Sequence, residues 1–448
     1  MADRPPPSLL GITLRTTWVI AMLVIVAKLA LALRDIALAQ VAGVAPAVDL
    51  FQLLFAVTAF VHAGLGSVAG MLLVPLLAGL APGPRARIAA RAEGALALGG
   101  LAICVALWMA AAATRVFGQV PPGAAMTVPL VAAAAMCLTI PALLVSGAFM
   151  ARLQLAGDTR YVLAEIVPAA TAIAVLYALP AFRLDAFCIA ILLGTCGQVA
   201  VLVALLRARG ERAGLRLAWA PIRLRAFPPG LGWLLLGQGI VSLQLVLDPY
   251  IATLFGEGAV SRFAYGYRIV NMGITLALTV IARVLFARFA LLLADGEDRV
   301  AWRLARQFMV LGAAVGLAVG VVVATLADRI TALVFFRASF SAADAQAVAD
   351  ILRHAAGLFA PCLAALVLLQ LANAASRYRV LFAAAALAFV VKYSVMAALL
   401  RPLALNAIPF ASTAWYVVIL AVYWIALSRR FGGPTASRSP SARSGSSE

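Results

Sequence analysis

The chain has 448 residues, 65% of them hydrophobic and only 12% charged, with a formal net charge of +18, and a mean hydropathy of +1.06. A chain this apolar cannot cover itself with a polar surface in water, which excludes a soluble globular protein. The positive balance would suggest nucleic acid in a soluble protein, but the distribution of the arginines points elsewhere and no nucleic-acid partner is expected.

A spanning helix needs about 20 largely apolar residues. Stretches of that kind are predicted at 16–36, 48–79, 90–114, 125–150, 160–180, 184–206, 230–255, 259–287, 304–327, 347–374, 379–399 and 404–427. They describe an all-α polytopic membrane protein of about 12 transmembrane helices. A short terminus, 1–15, precedes them, a basic connection lies at 207–229, and 428–448 reads as a disordered tail. No small-residue cleavage site follows the first apolar stretch at signal-peptide distance, so that stretch is predicted to stay as a helix. The second and eighth stretches exceed a bilayer's thickness, which predicts tilt, kinking or protrusion. Gly64, Gly66 and Gly70 ahead of Pro75 are the predicted cause of a bend in the second. The five cysteines sit in apolar stretches without metal-ligand spacing and read as packing residues. No metal or cofactor is expected.

With the N-terminus in the cytoplasm the arginines sort by side. Arg85, Arg87, Arg91, Arg152, Arg160 and Arg207 to Arg225 fall inside, followed by Arg288 to Arg306, Arg377, Arg379 and the tail arginines. This is the positive-inside asymmetry, and it places both termini in the cytoplasm. The basic balance is therefore a topology signal.

The chain also repeats itself. Asp35-x3-Ala39-x3-Gly43 after the first span returns 213 residues later as Asp248-x3-Ala252-x3-Gly256 after the seventh. Ala81-Pro82-Gly83 and Ala294-Asp295-Gly296 follow at the same offset. Six spans per half is an even number, so the halves run the same way through the membrane: residues 16–206 and 230–427 are two parallel lobes.

A charge at mid-membrane costs about 2.5–3.5 kcal/mol on insertion scales, so each one needs a reason. Lys28, Arg34, Asp35, Asp49 and His62 stand out in the first half, and Asp248, Arg268 and Lys392 in the second. Lys28 and Asp35 share a helical face. Arg34 has an interfacial, snorkelling alternative, Asp49 could cap the second span, and Asp248 with Pro249 could mark a helix end. His62 could be a core histidine, and Lys392 lacks a visible partner. The functional reading is that Lys28, Arg34 and Arg268 make a central cavity cationic for an anionic substrate, with Asp35 and Asp49 holding them when no substrate is bound.

Three stretches carry a family resemblance. Arg34-Asp35, Gly43, Ala47-Val48-Asp49-Leu50-Phe51 and Val74-Pro75 come first. Leu247-Asp248, Gly258-Ala259-Val260-Ser261 and Tyr265-Gly266-Tyr267-Arg268 follow, then Val334 through Asp344. In this order they resemble the MurJ/MviN family of the multidrug, oligosaccharidyl-lipid and polysaccharide exporter superfamily. The resemblance implies a bacterial inner-membrane flippase, not an enzyme. Such a protein moves a polyprenyl-diphosphate-linked saccharide, a lipid II-like peptidoglycan precursor, to the outer leaflet by alternating access. It implies substrate contacts at Lys28, Arg34, Asp49, His62 and Arg268, supported by Asp35, Asp248, Tyr267 and Asn271. Besides the lipid-linked glycan and membrane lipid, the implied partners are cell-wall or polysaccharide synthesis proteins, around a monomeric carrier. The chain departs from the family in having lysine at position 28, His62 where the second span usually has arginine, Tyr267 and Asn271 where carboxylates flank the eighth-span arginine, and two fewer spans at the C-terminal end. Those departures keep open a flippase for a capsular, exopolysaccharide or O-antigen unit. A drug exporter of the same superfamily would favour cavity carboxylates, and a membrane transferase would need clustered aspartates beyond the loop Asp295, Glu297 and Asp298.

Overall fold

The computed structural model describes residues 9–66, 73, 77, 80, 82–116, 129–211, 230–335 and 340–432. Gly70 and Pro75 of the predicted bend, most of the basic linker (212–229), the tail beyond 432 and residues 336–339 of the third motif lie outside them.

The first half consists of α1 (Leu9–Ala42), α2 (Pro46–Val61), α3 (Pro82–Val116), α4 (Leu130–Leu155), α5 (Ile166–Ala178) and α6 (Leu184–Ala208). Helix α2 runs on into a π-helical turn, His62–Gly66, and a 3-10 segment, Arg160–Glu165, leads into α5. The second half consists of α7 (Leu231–Ala252), α8 (Ala259–Ala294), α9 (Asp298–Thr325), the short α10 (Ala327–Phe335), α11 (Ala342–Ala355), α12 (Phe359–Ala374), α13 (Tyr378–Leu403) and α14 (Ala407–Phe431). The stretch predicted as one span at 347–374 is α11 and α12 joined through the 3-10 turn Ala356–Leu358. There are no strands among the described residues. Helices fit such a sequence because a bilayer offers no water to pair backbone groups, and a helix pairs its own.

Nine segments among the described residues are long and apolar enough to cross a membrane, and one of them, Tyr378–Phe431, contains both α13 and α14. Large apolar side chains such as Val310, Leu311, Leu317 and Val321 of α9 face outward, as they do where the surrounding solvent is lipid.

The internal repeat has a structural cause. Gly43 and Gly256, the glycines of the two matching motifs, both take left-handed backbone (φ 58° and 89°) just past the first helix of their half. A glycine is favoured there because a Cβ resists that conformation. The packing repeats as well. In the first half α1 packs on α5, α3 on α4, α4 on α6 and α5 on α6. The same four pairings recur in the second half as α7 on α13, α9 on α12, α12 on α14 and α13 on α14. The third-to-fourth contact is tight in both. A Cβ on Gly100 of α3 would meet Pro141 Cα of α4 at 2.6 Å, and one on Gly316 of α9 would meet the Phe359 carbonyl of α12 at 2.5 Å. Small residues of this kind let membrane helices approach closely.

Candidate functional site

The two halves meet where α1 and α2 face α7 and α8. On α1, Asp35 Oδ1 accepts hydrogen bonds from Arg34 Nη2 at 2.7 Å and Nε at 3.1 Å. Its other oxygen faces Arg268 Nε of α8 at 2.6 Å, an ion pair rather than an aligned hydrogen bond. Arg34 and Asp35 are almost fully buried, whereas the Arg268 side chain is 32% exposed. Both guanidinium groups lie over the Phe55 ring, at 4.9 and 5.6 Å from its centroid, and the ring's negative face favours them. One carboxylate thus joins a cation from each half. Arg34 is no snorkelling interfacial residue.

Asp49 departs from expectation. Its carboxylate does not hold the cations, nor does it cap its own helix, whose N-cap Ala45 makes no side-chain cap bond. It crosses to the other half, where Oδ2 accepts from the Gly258 backbone N–H and Oδ1 from that of Ser261, both at 2.7 Å. The Ser261 hydroxyl donates to Oδ1 as well. These groups form the N-terminus of α8, where unpaired N–H groups and the helix dipole favour an anion. Gly258 itself is left-handed (φ 77°). Beside this contact the Tyr265 hydroxyl donates to the Gly43 carbonyl at 3.0 Å. The halves are therefore fastened at the end that carries the α1–α2 and α7–α8 turns.

Lys28 sits apart from both arginines. Its ammonium donates to Glu165 Oε2 at 2.9 Å, each side chain 30% exposed. His62, at the start of the π-helical turn, is close enough to this pair to feel both charges, and its Nδ1 is buried without a hydrogen-bond partner. Lys392 does have a carboxylate partner. It is completely buried and donates to Asp248 Oδ2 at 2.6 Å and to Gln244 Oε1 at 3.0 Å. Tyr393 donates to Asp248 Oδ1 at 3.1 Å. Asp248 is thus a side-chain anchor between α7 and α13 rather than a helix-end marker. The Lys28–Glu165 and Asp248–Lys392 pairs join the first and fifth spans of their own halves, with the charges exchanged between helices.

A cavity of about 300 Å³ opens between α2, α7, α8 and α14. Of the three expected cavity cations only Arg268 lines it, and Lys28, Arg34, Asp49 and His62 do not. Tyr267, Asn271 and Asp248 are part of its wall. The other polar lining is amide and hydroxyl: Gln52, Gln238, Gln244, Ser242 and Tyr416. Composition and hydropathy gave no reason to single these out. Glu165 was findable, because it is a carboxylate inside the apolar stretch 160–180.

At the opposite end of the first half, Arg152 Nη1 donates to Glu93 at 2.7 Å and Nη2 to Glu211 at 2.7 Å. In the loop after α4, Asp158 is paired with Arg160 at 2.8 Å and Arg209 at 3.2 Å. Hydrogen bonding from Arg160 is the chief reason its carboxyl is held down to about 2. No group of three or more His, Cys, Asp or Glu side chains with metal-binding geometry occurs among the described residues.

Comparison with known proteins bears on this arrangement. The family model described as lipid II flippase MurJ matches residues 38–439. The chain belongs to the MurJ family. It is a family of transporters of the inner membrane. A search of curated proteins by sequence gives no match. Among solved structures, the fold is similar to a lipid II flippase MurJ in an inward closed conformation, with TM-score 0.75 and 11% identity over 92% of this chain and 87% of that one. It is also similar to an inward-facing multidrug resistance MATE family transporter of the MOP superfamily, with TM-score 0.71 and 16% identity over 91% and 94% of the two chains. A Vibrio cholerae MATE transporter follows, at TM-score 0.63 and 13% identity over 95% and 98%. These likenesses establish the exporter-superfamily fold.

Proposed function

We propose that this protein flips a polyprenyl-diphosphate-linked saccharide of the lipid II type from the inner to the outer leaflet by alternating access. The supporting observation is the Arg34–Asp35–Arg268 bridge: two guanidiniums from opposite halves are held by one carboxylate at the seam. The bridge carries one net positive charge. A diphosphate arriving at Arg268 competes with Asp35 for both cations, and the planar forks can each donate two hydrogen bonds to it. Displacing Asp35 removes a tie between the halves, which links substrate binding to opening. The Asp49 contact with the N-terminus of α8 is the second tie, and it must break in the same step.

In this reading the α1–α2 end faces outward and both termini face the cytoplasm, in accord with the arginine asymmetry. Twelve spans result when the long helices α1 and α8 and the separate α13 and α14 are all counted as crossing. Lys28 is a reserve cation, released when substrate displaces Glu165, with His62 beside it. Tyr267 and Asn271 contact the sugar-bearing part of the ligand. The carrier works as a monomer in the bacterial inner membrane, and the lipid tail stays in the bilayer. The membrane potential contributes to resetting it, since one charge moved through 100 mV is worth about 2.3 kcal/mol.

The test is transport of a lipid-linked glycan in proteoliposomes, with Arg34→Ala and Arg268→Ala expected to abolish it while both variants still insert. Full activity of both would remove the cation reading. Complementation of a strain depleted of its lipid II flippase identifies the glycan: rescue assigns lipid II, and failure with transport intact assigns another polyprenyl-linked saccharide.

A further inference from the structure

The first half has a cavity of its own, of about 380 Å³, at the end away from the Asp49 contact. It lies where the start of α3 meets the ends of α4 and α6, and its wall includes Arg85, Arg152, Glu211, Leu77, Leu155 and Ala89. Nothing in the flippase reading uses it.

The internal repeat shows why the space exists. The offset of 213 residues that relates the turn before α3 to the turn before α9 carries Ala89 onto Trp302. Both residues are buried, and so are Ala92 and Ala305, the next positions on the same helical faces. In the second half the Trp302 ring fills the corresponding position. It packs on Trp424 with centroids 5.2 Å apart, and its Nε1 lies 3.6 Å from where a Cβ on Gly432, just past α14, would stand. In the first half the methyl group of Ala89 leaves the space open as far as Gly210, just past α6. Protein interiors are close-packed, and a space of this size with charged walls takes in water or a ligand.

The charges of the wall narrow the ligand's chemistry. Arg152 Nη1 donates to Glu93 at 2.7 Å, while its Nε and Nη2 both donate to one oxygen of Glu211, at 3.1 and 2.7 Å. The Glu93 side chain is 0% exposed and that of Glu211 is 37% exposed. Glu93 alone balances the charge of Arg152, so Glu211 is the displaceable anion of the two. It holds the edge of the guanidinium fork that a phosphate oxygen takes. Arg85 faces the same space. It donates to the Leu80 carbonyl at 3.0 Å and has no carboxylate partner among the described residues. It stands near the start of α3, whose first turn contains no acidic residue, so the helix dipole adds to its positive potential.

We propose that this cavity binds a phosphate group, which replaces Glu211 on the Nε–Nη2 edge of Arg152 and is held from α3 by Arg85. The group belongs to a soluble phosphate compound or to the headgroup of an anionic phospholipid. The site is separate from the Arg34–Asp35–Arg268 bridge and does not rest on the flippase reading.

Isothermal titration of the full chain in neutral maltoside micelles, with inorganic phosphate as the probe, tests the site. Binding is expected with the unaltered protein and with Arg268→Ala, which removes the seam cation. Arg85→Gln should weaken it by about tenfold, the loss expected for one charged hydrogen bond. Glu211→Gln should strengthen it by a similar factor because the competing anion is gone, a gain that a merely structural Glu211 would not give. Ala89→Trp should abolish binding without any change of charge, by filling the space as Trp302 does in the second half. Thermal unfolding identifies the folded variants, and Arg85→Gln keeps the test valid if Ala89→Trp does not fold. Competition by phosphatidylglycerol, but not by phosphatidylcholine, assigns the phosphate to a lipid headgroup; binding without such competition assigns it to a soluble compound. No phosphate binding by the unaltered protein, or binding that Arg268→Ala removes and Arg85→Gln leaves intact, overturns the site.

Discussion

Replacing Lys392 or Asp248 alone should destabilise the protein far more than replacing both. Their charged atoms are 2.6 Å apart, and their side chains are 0% and 6% exposed. At an effective dielectric of about 20 their attraction is about 6 kcal/mol. Desolvating each ion costs several kcal/mol in return, so the intact pair contributes little net stability. Removing one partner leaves the other buried without its counter-charge, at a cost of about 3–5 kcal/mol. Lys392→Met leaves Asp248 with only the Tyr393 hydroxyl, and Asp248→Asn leaves the ammonium with Gln244 and a neutral amide. In the double variant Asp248→Asn with Lys392→Met no charge remains. Its loss should be well below the sum of the single losses, with a coupling of about 3 kcal/mol. Equilibrium unfolding in mixed micelles of increasing denaturing detergent, on all four proteins of the cycle, measures this. Additive losses would refute the argument, because they would show that neither charge depends on the other for its burial.

Further outcomes follow from the other contacts. Asp49→Ala removes the acceptor for two backbone N–H groups and a hydroxyl at the start of α8. With each such charged bond worth about 1.5–3 kcal/mol, spin labels on the α1–α2 and α7–α8 turns should report at least about a tenfold gain in the separated population; an unchanged distance distribution would show that the contact is not a tie. Exchanging the charges of Lys28 and Glu165 together should restore most of what either reversal loses, about 1 kcal/mol at 30% exposure, as read from thermal unfolding of the single and double variants. Asp158 titrates at about 2 instead of 3.8, so its clamp on Arg160 and Arg209 is complete above the usual carboxylate range and is lost as pH falls from about 4 towards 2. Hydrogen exchange over residues 156–161 should quicken across that window, and Asp158→Asn should abolish the change. Gly316→Leu should separate α9 from α12, since even a Cβ meets a backbone oxygen at 2.5 Å; folding yield in the membrane is the measure.

The helical fold was legible because a membrane protein has little freedom. Apolar stretches of sufficient length must be helices in a bilayer. The repeat at Asp35 and Asp248 was legible too, and its glycines proved to be positive-φ residues in the turns that follow α1 and α7. The unusual charges announced themselves by their cost in lipid. Their pairing did not. Seven-residue spacing suggested Lys28 with Asp35, yet Lys28 reaches Glu165, which is 137 residues away in sequence.

By itself, then, the sequence determined the class of solvent, the helices, the two-lobe repeat and the set of residues too charged for their surroundings. These depend on local composition and on a period, which any window of the chain displays. Only the tertiary structure decided which carboxylate meets which cation: Asp35 with Arg34 and Arg268, Asp49 with the N-terminus of α8, Asp248 with Lys392. It also placed Arg268 of the cation bridge in the wall of a cavity whose remaining polar lining is mainly amides and hydroxyls. Ion pairing in a bilayer acts over a few ångströms between helices far apart in sequence, so no pattern along the chain encodes it.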